Sequence, residues 1–336
     1  MHKKQIMSEV NKVLHKHEKA KKVLINLIFR AQLRCNQKWT EHIGEASRIS
    51  NMNCLLVGKS GTGKTYLVET LSKIMGVHIV KFDATTFAPT SANGTTSKDV
   101  IKKIKTSAEE FYQYNKYSFY CVDEVLDQTI VFVDELDKLG EEFSSNNWQT
   151  HTQSNFLTLF ENKELGLENI SWIFAGAFTN MFKEKVKEKR SIGFDSIDII
   201  SEDKDVDLET QIIRFGMIPE LVGRINHVVK LDDLVLEDYV HILENIIIPK
   251  KIKQLSHTDI EYMTLLDLDL NLLAKRAFNS ELGVRMLTKL IDDYLIDLEF
   301  EECKFKLTPL ASTKMPKGLL ALSAAPKIAS GKDEEE

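Results

Sequence analysis

Four cysteines in 336 residues, Cys35, Cys54, Cys121 and Cys303, are too few and too scattered for a disulfide framework or paired zinc knuckles, so reduced thiols are expected. Only six prolines and fifteen glycines are present, which excludes a collagen-like or low-complexity chain. No uninterrupted apolar run approaches the length that crosses a bilayer. The basic start MHKKQIMSEV also lacks the apolar core of a signal peptide, so no membrane partner and a cytoplasmic location are expected. Positive charge is not in excess either: a net charge of −6 and a pI near 5.9 give no general attraction to phosphate backbones, which argues against nucleic acid as a partner. What remains, 43% apolar and 28% charged residues, is the composition of a soluble, helix-rich globular protein long enough for two domains with full cores.

Apolar positions at helical spacing predict an amphipathic helix over residues 7–34. His15 and His17 sit there two positions apart, point away from each other and are expected to be solvated rather than to share a metal. NCLLVG (53–58), HIVKFD (78–83), TIVFVD (129–134) and SWIFAGAF (171–178) read as strands, with TYLVETLSKIM (65–75) and DVIKKIKTSAEEFYQY (99–114) as helices between them. Strands alternating with helices imply an α/β fold, a parallel sheet covered on both faces. Beyond about residue 230 the strand pattern fades and LEDYVHILENIIIPKKIKQL (236–255), NLLAKRAF (271–278) and GVRMLTKLIDDYLIDLEFEE (283–302) alternate helically. The expected organisation is an N-terminal helical segment over 1–50, a large α/β domain over 51–230, a small helical domain over 231–307 and a flexible tail over 308–336.

GKSGTGKT, Gly58 to Thr65, fits the phosphate-loop pattern G-x-x-x-x-G-K-[ST] in full and lies between a predicted strand and a predicted helix. Gly58, Gly61 and Gly63 allow the backbone to turn its N–H groups inward, so that Gly58, Lys59, Ser60, Gly61, Thr62 and Gly63 wrap the phosphates at a helix N-terminus. Lys64 is placed on the β- and γ-phosphate oxygens and Thr65 on Mg²⁺, with ATP as the nucleotide. Such a site needs an acid at the end of a neighbouring strand for the metal and a carboxylate to accept a proton from water. Two stretches offer Asp-Glu: FYCVDE (119–124) and TIVFVDE (129–135). The second follows four consecutive apolar residues, as a strand buried on both faces requires, so Asp134 is assigned to magnesium and Glu135 to the water. The first leaves only Val125 to Gln128 before the next strand, too little for a crossover helix, and Asp123 and Glu124 are expected to be solvated.

GKSGTGKT, IVFVDELDKLG (130–140), FLTLFENKE (156–164), WIFAGAF (172–178), GMIPELVGRI (216–225) and ELGVRMLTKLI (281–291) together resemble the AAA+ unfoldase ATPases of the ClpX and HslU type, over roughly residues 10–300. The resemblance implies a ring of six identical subunits, ATP hydrolysis and a protein substrate. It makes Arg224 an arginine finger reaching the ATP of a neighbouring subunit, and Arg285 a sensor that reports nucleotide state to the helical domain. Ile192-Gly193-Phe194 stands in the order in which ClpX carries its docking loop for the ClpP peptidase, implying a ClpP-like partner. Thr95 occupies the place of the family's pore-loop tyrosine and offers little apolar area to grip a sliding chain. The stretch before the core lacks the cysteine set of the ClpX zinc-binding domain, and an ATP-controlled switch that threads nothing remains the alternative function.

Overall fold

The computed structural model describes residues 2–14, 16–39, 49–87, 97–140, 148–161, 169–182, 206–255, 269–280 and 282–302. Thr95, Ile192-Gly193-Phe194 and the tail from 308 lie outside the described residues. The predicted first helix is two: α1, Lys3–Val13, and α2, Glu18–Trp39, with a break at His17, whose φ is 66°. There follow β1 (Cys54–Val57), α3 (Lys64–Met75), β2 (Ile79–Asp83), α4 (Ser97–Tyr114), α5 (Val122–Gln128) and β3 (Ile130–Asp134). The chain continues through α6 (Trp148–Glu161), β4 (Ser171–Gly176), α7 (Leu208–Arg214), α8 (Pro219–Val222) and β5 (His227–Lys230).

The five strands form one parallel sheet in the order β2-β3-β4-β1-β5. Because successive strand residues face opposite ways, each central strand feeds two cores. Leu55, Val57, Val131, Val133, Trp172 and Phe174 pack on one face with residues of α4 and α6, whereas Cys54, Leu56, Ile130, Phe132, Ile173 and Ala175 pack on the other with α1, α2 and α3. This is the α/β architecture expected from the uninterrupted apolar strands. Phe87 belongs to the first core, its ring 4.6 Å from that of Phe156.

The stretch around Asp123 and Glu124 departs from expectation. VDEVLDQ is itself α5, a short second helix in the β2-to-β3 crossover, so α4 carries the long traverse and α5 only the final approach. Asp123 is exposed, but Glu124 is buried and accepts the Tyr120 backbone N–H at 2.6 Å, closing the turn into α5.

Among the described residues C-terminal to β5, the helices α9 (Leu236–Ile242), α10 (Ile248–Leu255), α11 (Leu270–Phe278) and α12 (Val284–Glu302) enclose a separate core of Tyr239, Leu243, Ile247, Ala274, Ala277, Leu287 and Ile291. Leu243–Ile247, between α9 and α10, is a π-helical turn. Pro249 follows it at the second position of α10, where a missing N–H would break an α-helical ladder, and the wider turn absorbs that loss.

Candidate nucleotide site

The phosphate loop leaves the C-terminal end of β1, held to the sheet by the Gly58 N–H on the Gly176 carbonyl at 3.2 Å. Gly61 and Gly63 have φ of 80° and 88°, the left-handed region that only glycine enters without strain, and these two reversals turn the chain into α3. Within the loop the Lys59 carbonyl accepts from the Thr62 hydroxyl at 2.9 Å and from the Lys64 ammonium at 3.0 Å, and Lys64 also donates to the Gly58 carbonyl. Burial depresses the Lys64 pKa, opposed by Asp134 and Asp137 and reinforced by the positive charge of Arg285. A buried ammonium satisfied only by its own loop's carbonyls is poised to exchange them for phosphate oxygens.

The Thr65 hydroxyl donates to Asp134 Oδ2 at 2.8 Å, joining the first turn of α3 to the end of β3. Asp134 Oδ1 accepts the Glu135 N–H at 2.9 Å. Glu135 sits at φ 58°, an unfavourable conformation for a residue with a side chain, and its carboxylate is exposed. Burial and the neighbouring Asp83, Asp134 and Asp137 push its pKa upward, which suits a group that must take a proton. The donor set of a hydroxyl and a carboxylate, both hard oxygens, fits Mg²⁺.

Asp137, which the sequence reading passed over, is buried two residues beyond Glu135 and accepts the Ala177 N–H at 3.0 Å. It ties the turn after β3 to the end of β4. Strand β4 stops at Gly176 instead of running to Phe178, because Phe178 turns left-handed, with φ 48°, and buries its ring in the core. The second aspartate of DELD was the available signal, but acidity alone does not distinguish a buried acceptor from a solvated one.

The predicted site residues separate into two groups. Lys64, Thr65, Asp134 and Glu135 converge, with Gly58, Gly61, Thr62 and Gly63 forming the loop around them. Ser60 is exposed, and the Lys59 ammonium reaches Asp233 at 3.2 Å. Arg285 is exposed in the first turn of α12 and electrostatically close to Lys64. The glycine before α12, Gly283, packs on the loop: a Cβ on Gly61 would lie 3.3 Å from the Leu282 carbonyl oxygen and from the Val284 nitrogen. Arg224 is elsewhere. Its carbonyl accepts the Asn53 carboxamide at 3.2 Å, and Asn53 precedes β1, so Arg224 stands at the opposite end of that strand from the loop, about 13 Å away for four residues. Its side chain is exposed. His17, expected in solvent, is instead buried against the loop at Thr62.

Residues 54–196 match the family described as ATPase family associated with various cellular activities (AAA). The chain carries an AAA ATPase domain and hydrolyses ATP. It is 28% identical over 312 residues, 84% of this chain and 73% of the relative, to the ATP-dependent Clp protease ATP-binding subunit ClpX 2 of Wolinella succinogenes. The matched domain and this relative together support a ClpX-like AAA+ ATPase.

Proposed function

We propose that the chain is one subunit of a homo-oligomeric ring, six-membered by analogy with its relatives, that uses Mg-ATP hydrolysis to remodel or unfold protein substrates. The observation that carries this reading is the place of Arg224. A guanidinium at the far end of β1 from its own phosphate loop serves a different nucleotide, so each site needs a neighbour to complete it. The name of the similar protein, an ATP-binding subunit of an ATP-dependent Clp protease, supports a protein substrate and a peptidase partner. Ile192-Gly193-Phe194 is the segment we assign to docking a ClpP-like peptidase.

In this reading the loop amides from Gly58 to Thr65 and the Lys64 ammonium hold the triphosphate. Thr65 and Asp134 hold the magnesium, which neutralises phosphate charge when bound. Glu135 orients the attacking water and accepts its proton. Arg224 of one subunit stabilises the charge that develops on the phosphoryl group in the next, and Arg285 carries nucleotide state to the C-terminal helices.

The test mixes two inactive variants, Arg224→Ala and Lys64→Ala. A site with an intact loop from one and an intact finger from the other recovers ATPase activity, and no recovery at any mixing ratio would sink the trans arrangement. Thr95 favours a second reading, a nucleotide-controlled switch that threads nothing. Stimulation of ATPase by unfolded protein supports remodelling, its absence supports the switch, and stimulation by DNA alone points to a nucleic-acid motor.

A further inference from the structure

His17 precedes α2 directly and adopts φ 66°, a conformation that costs an L-residue about 1–2 kcal/mol. Three hydrogen bonds hold it there. Its backbone N–H donates to Asp232 Oδ2 at 2.9 Å, its Nδ1 accepts the Asp232 backbone N–H at 3.1 Å, and its Nε2 lies 3.1 Å from the Thr62 carbonyl oxygen. A carbonyl oxygen cannot donate, so Nε2 must carry the proton; an amide N–H cannot accept, so Nδ1 must be bare. Only the neutral Nε2–H tautomer makes both ring bonds. Burial holds the His17 pKa below its usual value; the Thr62 carbonyl, Asp232 and Asp238 oppose this and Lys21 adds to it. A protonated ring would give up the Asp232 N–H and be left with that residue's carboxylate at 3.6 Å.

The peptide between Thr62 and Gly63 is planar and trans, so its C=O and N–H point in opposite directions. A donor that draws the Thr62 oxygen to the His17 side aims the Gly63 N–H to the opposite side. We propose that His17 is a positioning residue for ATP, clamping the Thr62–Gly63 peptide between the start of α2 and the segment after β5 so that the Gly63 N–H meets phosphate. The proposal rests on the reading that Gly58–Thr65 holds the triphosphate. Because Asp232 lies between β5 and the C-terminal helices, the same clamp fixes the loop relative to the segment that leads into them.

The test compares His17→Gln, whose carboxamide can both donate and accept, with His17→Leu, which has similar bulk and no polar atom, using Mg-ATP from about pH 7.5 to 5.5 and Lys64→Ala as a control. His17→Leu is expected to raise the KM for ATP about tenfold with kcat changed less than about twofold, as for one lost positioning bond, and His17→Gln to restore it to within about threefold. The parent's KM is expected to rise more steeply toward acid than that of His17→Gln, which has no ring to protonate. An unchanged KM in His17→Leu, or a glutamine variant as impaired as the leucine one, would overturn the proposal. If His17→Leu does not fold, His17→Ala, equally without a polar side-chain atom, takes its place, and an unchanged KM there rejects the clamp. Loss of ATP binding in Lys64→Ala but not in His17→Leu refutes the role of His17 alone, whereas normal binding in Lys64→Ala refutes the phosphate-loop reading beneath it.

Discussion

Ile218 donates its backbone N–H to the side-chain oxygen of Gln153 at 2.7 Å. The Gln153 nitrogen donates in turn to the Leu139 carbonyl at 2.8 Å and the Gly216 carbonyl at 3.1 Å. One buried carboxamide on α6 thus joins the turn that follows Glu135 to the segment that leads into Arg224.

Replacing Gln153 by leucine keeps the bulk and strands three backbone groups in a dry interior. The expected loss of folding stability is about 2–4 kcal/mol, since unsatisfied buried polar groups cost about 1–3 kcal/mol each and some relaxation follows. Urea unfolding should show a lower midpoint with an unchanged slope, and an unaltered midpoint would mean that the three groups find other partners.

Gly216 and Gly76 both have positive φ, 116° and 66°, and differ in what surrounds them. A Cβ on Gly216 would stand 2.2 Å from the Gly140 carbonyl oxygen, whereas one on Gly76 would meet nothing within 4 Å. Gly76→Ala therefore bears only backbone strain, about 1 kcal/mol. Gly216→Ala adds a backbone collision and is expected to cost about 3 kcal/mol or more. Thermal melting of the two variants side by side measures the contrast, and equal losses would contradict the close packing of the two chain segments.

His78 is buried between the Thr129 hydroxyl and the Ser107 hydroxyl, each 2.9 Å from a ring nitrogen, and burial lowers its pKa from 6.5 to about 4. The unfolded chain binds a proton more readily than the folded one between these values, so stability is full above about pH 6.5 and falls as the pH drops toward 4. The total effect is about 3 kcal/mol at roughly 1.4 kcal/mol per pH unit. Denaturant midpoints at pH 7 and 5 should separate more in the parent than in His78→Gln, and equal separation would remove His78 as the cause.

The parallel sheet and the glycine-rich turn between β1 and α3 were legible because their signals are local. Ile130 to Val133 write a doubly buried strand in four adjacent letters, and the spacing from Gly58 to Thr65 states its own geometry. His17 was misread because its burial is decided by Asp232, 215 positions along the chain, and by a backbone reversal that helical periodicity does not register. Glu124 was misread for a related reason: a short helix can finish a crossover when a longer one, α4, has already spanned it. The position of Arg224 depends on how β5 pairs with β1, and no spacing in the sequence contains that pairing.

The approach of Gly61 to the turn at Leu282–Val284 is main chain against main chain. Side chains can yield to a push by changing rotamer, but bare peptide has no such give. A tilt of the C-terminal helices would therefore reach the loop as displacement instead of being absorbed on the way, as load passes along a stiff strut without a cushion.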